Sequence, residues 1–450
     1  MQKGMLFWIW LAEALGPANR DFRALISIYE NPYDIFHAEE EELERLSLSD
    51  RTRKKLADKN LSHATDILDV CERSGIGILA YSDGEYPNTL RQIDSPPVLL
   101  YYSGTLPDFN TRLCVGMVGT RRMSAYGLRS AYKLAYELAS TKAMVISGMA
   151  AGIDGVSAAA AIAAKGTTVA ILGCGVDVVY PRHHQRLRDE IRRTGVILSE
   201  YPPGTRPNSY HFPIRNRLIS GLSHGTVVVE AGIGSGSLIT AKDAIVQGRD
   251  VFAIPANVGS VGAEGTNGLL RDGANLVTQA KDILDRYAYV FSETLDTARL
   301  LKIGDRSEAD LAFLEQMGVI TLHKGPTPQS PRLQATAPIE EAAPKPKKRA
   351  AKPSGNRKGR TDEAVSAHLT ESRQAREAEA PTARQTPDEV LTSLNEVQRA
   401  VLEAIPDDRA IHADALCGLD FSYGDIVAAL TMLEILGLIQ KLPGALYTKK

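Results

Sequence analysis

The sequence predicts an α/β protein built on a doubly wound, parallel sheet, and two observations predict it. Short continuous apolar runs alternate with helix-length segments from about residue 75 to 254, as strands buried on both faces should. Glycine-rich turns sit where those runs end, so that several of them gather at one edge of the sheet.

Length and composition set the outer limits. At ~150 residues per domain as a soft prior, 450 residues hold about three domains. Charged residues make up 24%, hydrophobic residues 44%, and the formal net charge is −2, so no global basic field exists and nucleic-acid binding must come from a local patch. Cys71, Cys114, Cys174 and Cys417 lie far apart and form no Cys-x-x-Cys pair. That usage excludes a metal site or a disulfide framework and fits a reducing, cytoplasmic compartment. The apolar stretch MLFWIWLAEAL near the N-terminus is short and broken by Glu13, which makes it a buried helix, and no membrane is expected.

Residues 1–74 read as helical, with Leu, Ile and Phe at three-and-four spacing from about Leu6 to Cys71. Ala14-Leu15-Gly16-Pro17 ahead of a helical pattern resembles a degraded helix-hairpin-helix, so a small SAM-like or helix-hairpin-helix-like bundle is expected. The acidic run Glu39–Glu42 opposes DNA and favours packing or partner docking.

Residues 75–290 carry the alternation. Strands are predicted at Ile76–Tyr81, Val98–Tyr102, the run ending at Gly119, Ala143–Ser147, Thr167–Leu172, Val196–Ser199, Thr226–Glu230 and Asp250–Ile254. Helices are predicted at Ser124–Ser140, Asp154–Ala164, near Asn216–Leu222 and at Ser237–Gln247. The order is Rossmann-like, with the ligand site at the carboxyl ends of the strands. Residues 291–390 are expected to be mostly disordered linker: the pattern weakens after about Tyr287 and gives way to Pro, Ala, Glu, Lys and Arg. Inside that linker, eight basic residues from Lys345 to Arg360 occur with no acid between them, a solvated tether able to add salt-sensitive attraction to nucleic acid. Residues 391–450 read as three helices and a short β-wing closing at Leu446-Tyr447, a winged helix. Its third helix carries Asp425 and Glu434 and no arginine, which favours protein contact over the major groove.

The stretch Leu113–Gly127 concentrates the chemistry. An apolar run stops at Gly119-Thr120-Arg121 and opens into a helix behind Ser124. Glycine lets backbone N–H groups approach an oxyanion, the helix dipole favours its charge, and Arg121 and Arg122 add cationic forks. The same pattern also suits an ordinary βα turn with arginines in solvent. Ser147-Gly148, continuing to Gly152-Ile153-Asp154, follows the next strand; Gly173-Cys174-Gly175 follows the third; Glu230-Ala231-Gly232-Ile233-Gly234-Ser235-Gly236-Ser237 follows a later one. Neither a P-loop nor a complete dinucleotide fingerprint is present. Phe212-Pro213-Ile214-Arg215-Asn216-Arg217 places an aromatic ring, suited to base stacking or to core packing, beside two arginines. Helical residues two apart point to nearly opposite faces, so one arginine should grip a ligand while the other ties the helix to the sheet.

Five motifs in chain order, Gly119-Thr120-Arg121 with Ser124–Gly127, SGMAAGID, FPIRNRLISGLS, VVEAGIGSGSLITA and GTNGLLRDGA at Gly265–Ala274, resemble the DNA-processing protein A (DprA/Smf) family. The resemblance implies single-stranded DNA binding without base specificity, a homodimer, and help in loading the RecA recombinase onto incoming strands during natural transformation. It implies a DNA-binding set of Gly119, Thr120, Arg121, Ser124, Ser147, Gly148, Gly152, Phe212, Arg215, Asn216, Arg217, Ser235, Gly236 and Lys242. It implies no catalytic residue, metal or cofactor. Two departures, Tyr210-His211 before Phe-Pro and Pro255-Ala256-Asn257, bear on loop shape. The alternative is an enzyme: Glu230 beside a glycine-rich loop is similar to the phosphoribohydrolases of a related fold, although their flanking acids are missing from Ser237–Ala241.

Overall fold

Helical spacing without strand pattern produces six helices at the start of the chain: α1 (Gln2–Leu15), α2 (Asp21–Ile28), α3 (Pro32–His37), α4 (Glu40–Glu44), α5 (Asp50–Leu56) and α6 (Ser62–Ser74). Asn31 and Ser49 cap α3 and α5 through their side chains, and Gly75 ends α6 in the left-handed conformation. The apolar N-terminal stretch is a core helix, with Trp8, Ile9, Trp10 and Leu11 buried in the cluster that holds Phe22, Leu25 and Leu56. The computed structural model describes residues 2–260, 262–303, 308–322, 333–335, 396–406, 411–412, 415–416, 421, 426, 429–430, 433, 438–442 and 446–449. They fall in two units, Met1–Lys345 and Pro346–Lys450.

The first unit continues as β1 (Gly77–Ala80), α7 (Asn88–Arg91), β2 (Leu99–Gly104), β3 (Cys114–Val118), α8 (Ala125–Ser140), β4 (Met144–Ser147), α9 (Ile153–Ala163), β5 (Thr168–Leu172), α10 (Gln185–Thr194) and β6 (Val196–Ser199). It goes on through α11 (His211–Leu222), β7 (Gly225–Val228), α12 (Gly236–Val246), β8 (Asp250–Ala253), α13 (Glu264–Arg271), β9 (Asn275–Leu276) and α14 (Ala280–Tyr287). The strands form one sheet in the order β1-β2-β6-β5-β4-β3-β7-β8-β9, parallel from β6 to β9. Alternate residues feed the two faces: Val145, Ala170 and Leu172 join one apolar cluster, Met144, Ile146, Val169 and Ile171 the other.

The structure differs from the sequence-based expectation in several places. β1 pairs antiparallel with β2, and β2 pairs antiparallel with β6, so β2 alone runs against the rest of the sheet. Helix α11 begins at His211 rather than near Asn216, since Pro213 in a first turn removes no helix hydrogen bond. Helices α10, α13 and α14 went unread in the sequence. Ordered structure also continues past residue 290 through α15 (Leu300–Ile303), α16 (Leu311–Gln316) and β10 (Ile320–Leu322), which pairs with β11 (Leu333–Ala335). Leu314, Met317, Val319 and Ile320 bury themselves in the core, which outweighs the weak pattern of the surrounding sequence.

The second unit contains α17 (Glu396–Ala404) and an antiparallel sheet of β12 (Ile411–His412), β14 (Leu446–Lys449) and β13 (Ile439–Leu442), in that order. Val401, Ile405, Leu430, Leu433, Ile439 and Tyr447 form its core. Most of the second and third helices expected there, like the basic stretch from Lys345 to Arg360, lies outside the described residues.

Candidate nucleic-acid interface

The chain lays β4, β5 and β6 to one side of β3, then returns to place β7, β8 and β9 on the other. A crevice opens at the carboxyl ends of the strands where that order reverses, the place where doubly wound sheets bind ligands. A cleft of about 340 Å³ occupies it. Gly119 and Arg121 line it from the turn after β3, Phe212, Arg215 and Asn216 from α11, and Ser235 and Gly236 from the start of α12.

The turn after β3 is held by its neighbours. Thr120 N–H donates to the Glu230 carbonyl at 2.7 Å, the Thr120 carbonyl accepts from Ile153 N–H at 3.2 Å, and the Thr120 hydroxyl accepts from Arg122 N–H at 3.1 Å. Thr120 is therefore a strut. Arg121 is exposed and lines the cleft, with its guanidinium carbon 5.4 Å from the centroid of the Phe212 ring.

The helix end behind that turn is filled from within. Ser124 caps α8 by accepting from Gly127 N–H at 3.0 Å. The Glu230 carboxylate accepts from Ser124 N–H at 2.9 Å and from the Ser124 hydroxyl at 3.1 Å. Burial raises the Glu230 pKa, and its bonds to Ser124 pull it back. The anion that the α8 dipole favours is thus the protein's own carboxylate, and Ser124 serves the cap rather than the cleft. Glu230, the acid of the enzyme alternative, does not line the cleft.

The second glycine turn is likewise internal. Gly148 N–H donates to the Asp154 carboxylate at 3.0 Å, while Arg215 Nη1 donates to the Gly148 carbonyl at 3.0 Å and to the Ile171 carbonyl. Burial raises the Asp154 pKa and the Arg215 guanidinium opposes it. Arg215 is 4% exposed, so it braces the carboxyl ends of β4 and β5 and lends the cleft its charge from behind. Ser147 is buried at the end of β4. Gly152 has φ +84°, and a Cβ there would collide with the Thr120 carbonyl; it is glycine so that two turns can touch.

The open helix end belongs to α12. Ser235 at its N-cap makes no cap hydrogen bond; its hydroxyl lies 2.8 Å from that of Ser237, and a Cβ at Gly236 would meet nothing within 4 Å. Leu238 N–H donates to the Ser235 carbonyl at 3.0 Å, which leaves the N–H groups of Gly236 and Ser237 without a helical partner; both residues border the cleft, as does Asn216. Of the helix ends that the sequence offers to an anion, the one at α8 is filled and the one at α12 is open.

Arg217 leaves the cleft, as a two-residue offset on a helix requires. It is 8% exposed and pairs with Glu200 at 2.5 Å, and Glu200 in turn accepts from Ala18 N–H at 3.3 Å, tying the helical bundle to the sheet. Lys242 is exposed on α12 and does not line the cleft. Tyr180, which the sequence reading passed over, lines the cleft and stacks on Phe212 with ring centroids 5.3 Å apart. Its only signal was an aromatic-proline pair in a loop at the carboxyl edge. Among the described residues no group of three metal-ligating side chains comes together, and no helix is long and apolar enough to cross a membrane.

Residues 77–288 match the family described as DNA recombination-mediator protein A. The chain is 40% identical to DNA processing protein DprA of Bacillus subtilis over 219 residues, 49% of this chain and 74% of that protein. It is 31% identical to Protein Smf of Synechocystis over 402 residues, 88% of this chain and 86% of that protein. The X-ray structure of DNA processing protein A from Streptococcus pneumoniae is similar at a TM-score of 0.52 and 33% identity, covering 62% of this chain and 97% of that one. With so much of each relative matched, in sequence and in fold, the chain belongs to the DNA recombination-mediator protein A family, the DprA/Smf proteins.

Proposed function

We propose that this chain binds single-stranded DNA without base specificity, its backbone running through the cleft between β3 and β7. The observation that carries this is the meeting, across one cleft, of the exposed Arg121 guanidinium and the open N-terminus of α12. Phosphate is the common ligand of both. Arg121, Asn216, Ser235 and Gly236 contact the strand; Arg215 supplies charge from behind; Phe212 and Tyr180 form the aromatic wall. Gly119, Thr120, Ser124, Ser147, Gly148 and Gly152 shape the turns, and Lys242 lies on a flank of the track.

The family is one of DNA-processing, recombination-mediating proteins and not of enzymes. Within that role we infer a cytoplasmic homodimer that protects incoming strands and helps load RecA during natural transformation. Residues 1–74 act as a SAM-like docking bundle, residues 75–290 as the DNA-binding core, and residues 391–450 as a winged helix that contacts protein. The basic residues from Lys345 to Arg360 add salt-sensitive attraction.

Electrophoretic shift of homopolymer strands at several salt concentrations tests the binding. Wild-type protein should shift every homopolymer, with affinity falling steeply as salt rises. Arg121→Ala should weaken binding to all of them alike. Absence of binding, or an Arg121→Ala protein indistinguishable from wild type, overturns the proposal.

A further inference from the structure

The aromatic ring expected to stack on bases is already engaged. Phe212 is half-buried, stacks on Tyr180, and has the Arg121 and Arg215 guanidinium carbons 5.4 and 6.0 Å from its centroid. A base entering the cleft would have to displace those groups. Two residues earlier in the chain, Tyr210 is 78% exposed, and among the described residues its ring stacks on no other ring.

The backbone around Tyr210 is fixed on both sides. Before it, the Asn208 side chain accepts from Tyr210 N–H at 3.1 Å, and the Asn208 carbonyl accepts from His211 N–H at 3.0 Å. After it, the His211 ring stacks on Tyr201 with centroids 4.2 Å apart, and its Nδ1 lies 3.1 Å from the Gly173 carbonyl. Ser209 on one side, and Phe212 and Pro213 on the other, line the cleft. A free ring is therefore held by a fixed backbone at the rim of the phosphate site, so little ordering entropy opposes contact with a ligand.

We propose that Tyr210 is a base-stacking subsite at the mouth of the cleft, taking a base of the strand whose phosphates Arg121 and α12 hold. The inference rests on the DNA-binding reading given above. Division of labour follows: the cleft binds backbone, and Tyr210 adds affinity from any base, because every base presents a π-face.

Fluorescence anisotropy of the full chain, with an oligo-dT strand and an abasic strand of equal length, separates the two. Wild-type protein should prefer oligo-dT. Tyr210→Ala should bind oligo-dT roughly five- to a hundred-fold more weakly, the range expected for one stacked base, and should bind the abasic strand as wild type does. Tyr210→Phe and Tyr210→Trp should retain the preference, and the salt slope should stay unchanged because no phosphate contact is lost. An unchanged preference in Tyr210→Ala, equal weakening on both strands, or no preference in wild type overturns the subsite. Failure of wild-type protein to bind either strand overturns the DNA-binding reading instead.

Discussion

Arg121 and Arg217 are both arginines of motifs that the sequence marks for phosphate, and their surroundings give them opposite work. Arg121 stands exposed beside the cleft, so Arg121→Ala should leave stability near wild type and reduce the dependence of log affinity on log salt by about one phosphate, or ~0.7 for a single strand. Titrations at three or more salt concentrations read that slope. Arg217 is buried against Glu200, so Arg217→Ala leaves a buried carboxylate unpaired. Losing one partner of such a pair costs roughly 3–5 kcal/mol, to be read as a drop in the urea midpoint.

The turns differ in the same way at the scale of elements. Gly152 lets the loop after β4 touch the turn after β3, and Gly236 opens α12 toward the cleft. Gly152→Ala meets both the positive φ and the Thr120 carbonyl, so a loss of more than ~1 kcal/mol is expected in chemical denaturation. Gly236→Ala has free space around its Cβ and should fold as wild type while crowding the amides that border the cleft, so its effect should appear in DNA affinity. On α8 the Glu230 carboxylate serves as the helix-end anion, and Glu230→Ala should lower stability by roughly 0.5–2 kcal/mol, the range for a lost cap.

At the scale of the whole fold, the buried imidazoles of His184 and His224 weaken it in acid. Burial holds His184 and His224 down to a pKa of about 4, against 6.5 in an unfolded chain. His184 Nδ1 lies 3.0 Å from the Met149 carbonyl, and His224 Nδ1 accepts from Cys114 N–H at 3.2 Å, so protonation of the latter would oppose a donor with a donor. Between pH 6.5 and 4 the unfolded chain binds more protons than the native one, and each imidazole removes up to ~1.4 kcal/mol per pH unit as pH falls. Asp243, pushed up to about 6 by burial, works in the opposite sense: its folded form favours the proton, so it costs stability above pH 6 and ceases to as acid is added. Asp154 and Glu230, also raised by burial, act in the same sense as Asp243, so the imidazole contribution is read as a difference between proteins. Between pH 7 and 4.5 the urea midpoint of His224→Gln should lose less, or gain more, than that of wild type.

The parallel sheet was legible because continuous apolar runs such as Cys114–Val118 and Met144–Ser147 can be buried only between two helical layers. The glycine turns and the divergence of Arg215 from Arg217 were legible too, since both follow from chain geometry. The sequence by itself thus determined the layers, the edge where the cleft opens and several of the residues that line it. Tertiary structure alone decided which of the expected residues face the cleft, because burial and pairing depend on distant parts of the chain. A glycine turn that receives an external anion and one that receives Glu230 or Asp154 read alike along the chain, because the occupying carboxylate comes from a residue whose position depends on the fold. The Ser124 cap of α8 was legible in the sequence, but only assembly of the sheet showed that Glu230 fills that helix end and that the end of α12 is open.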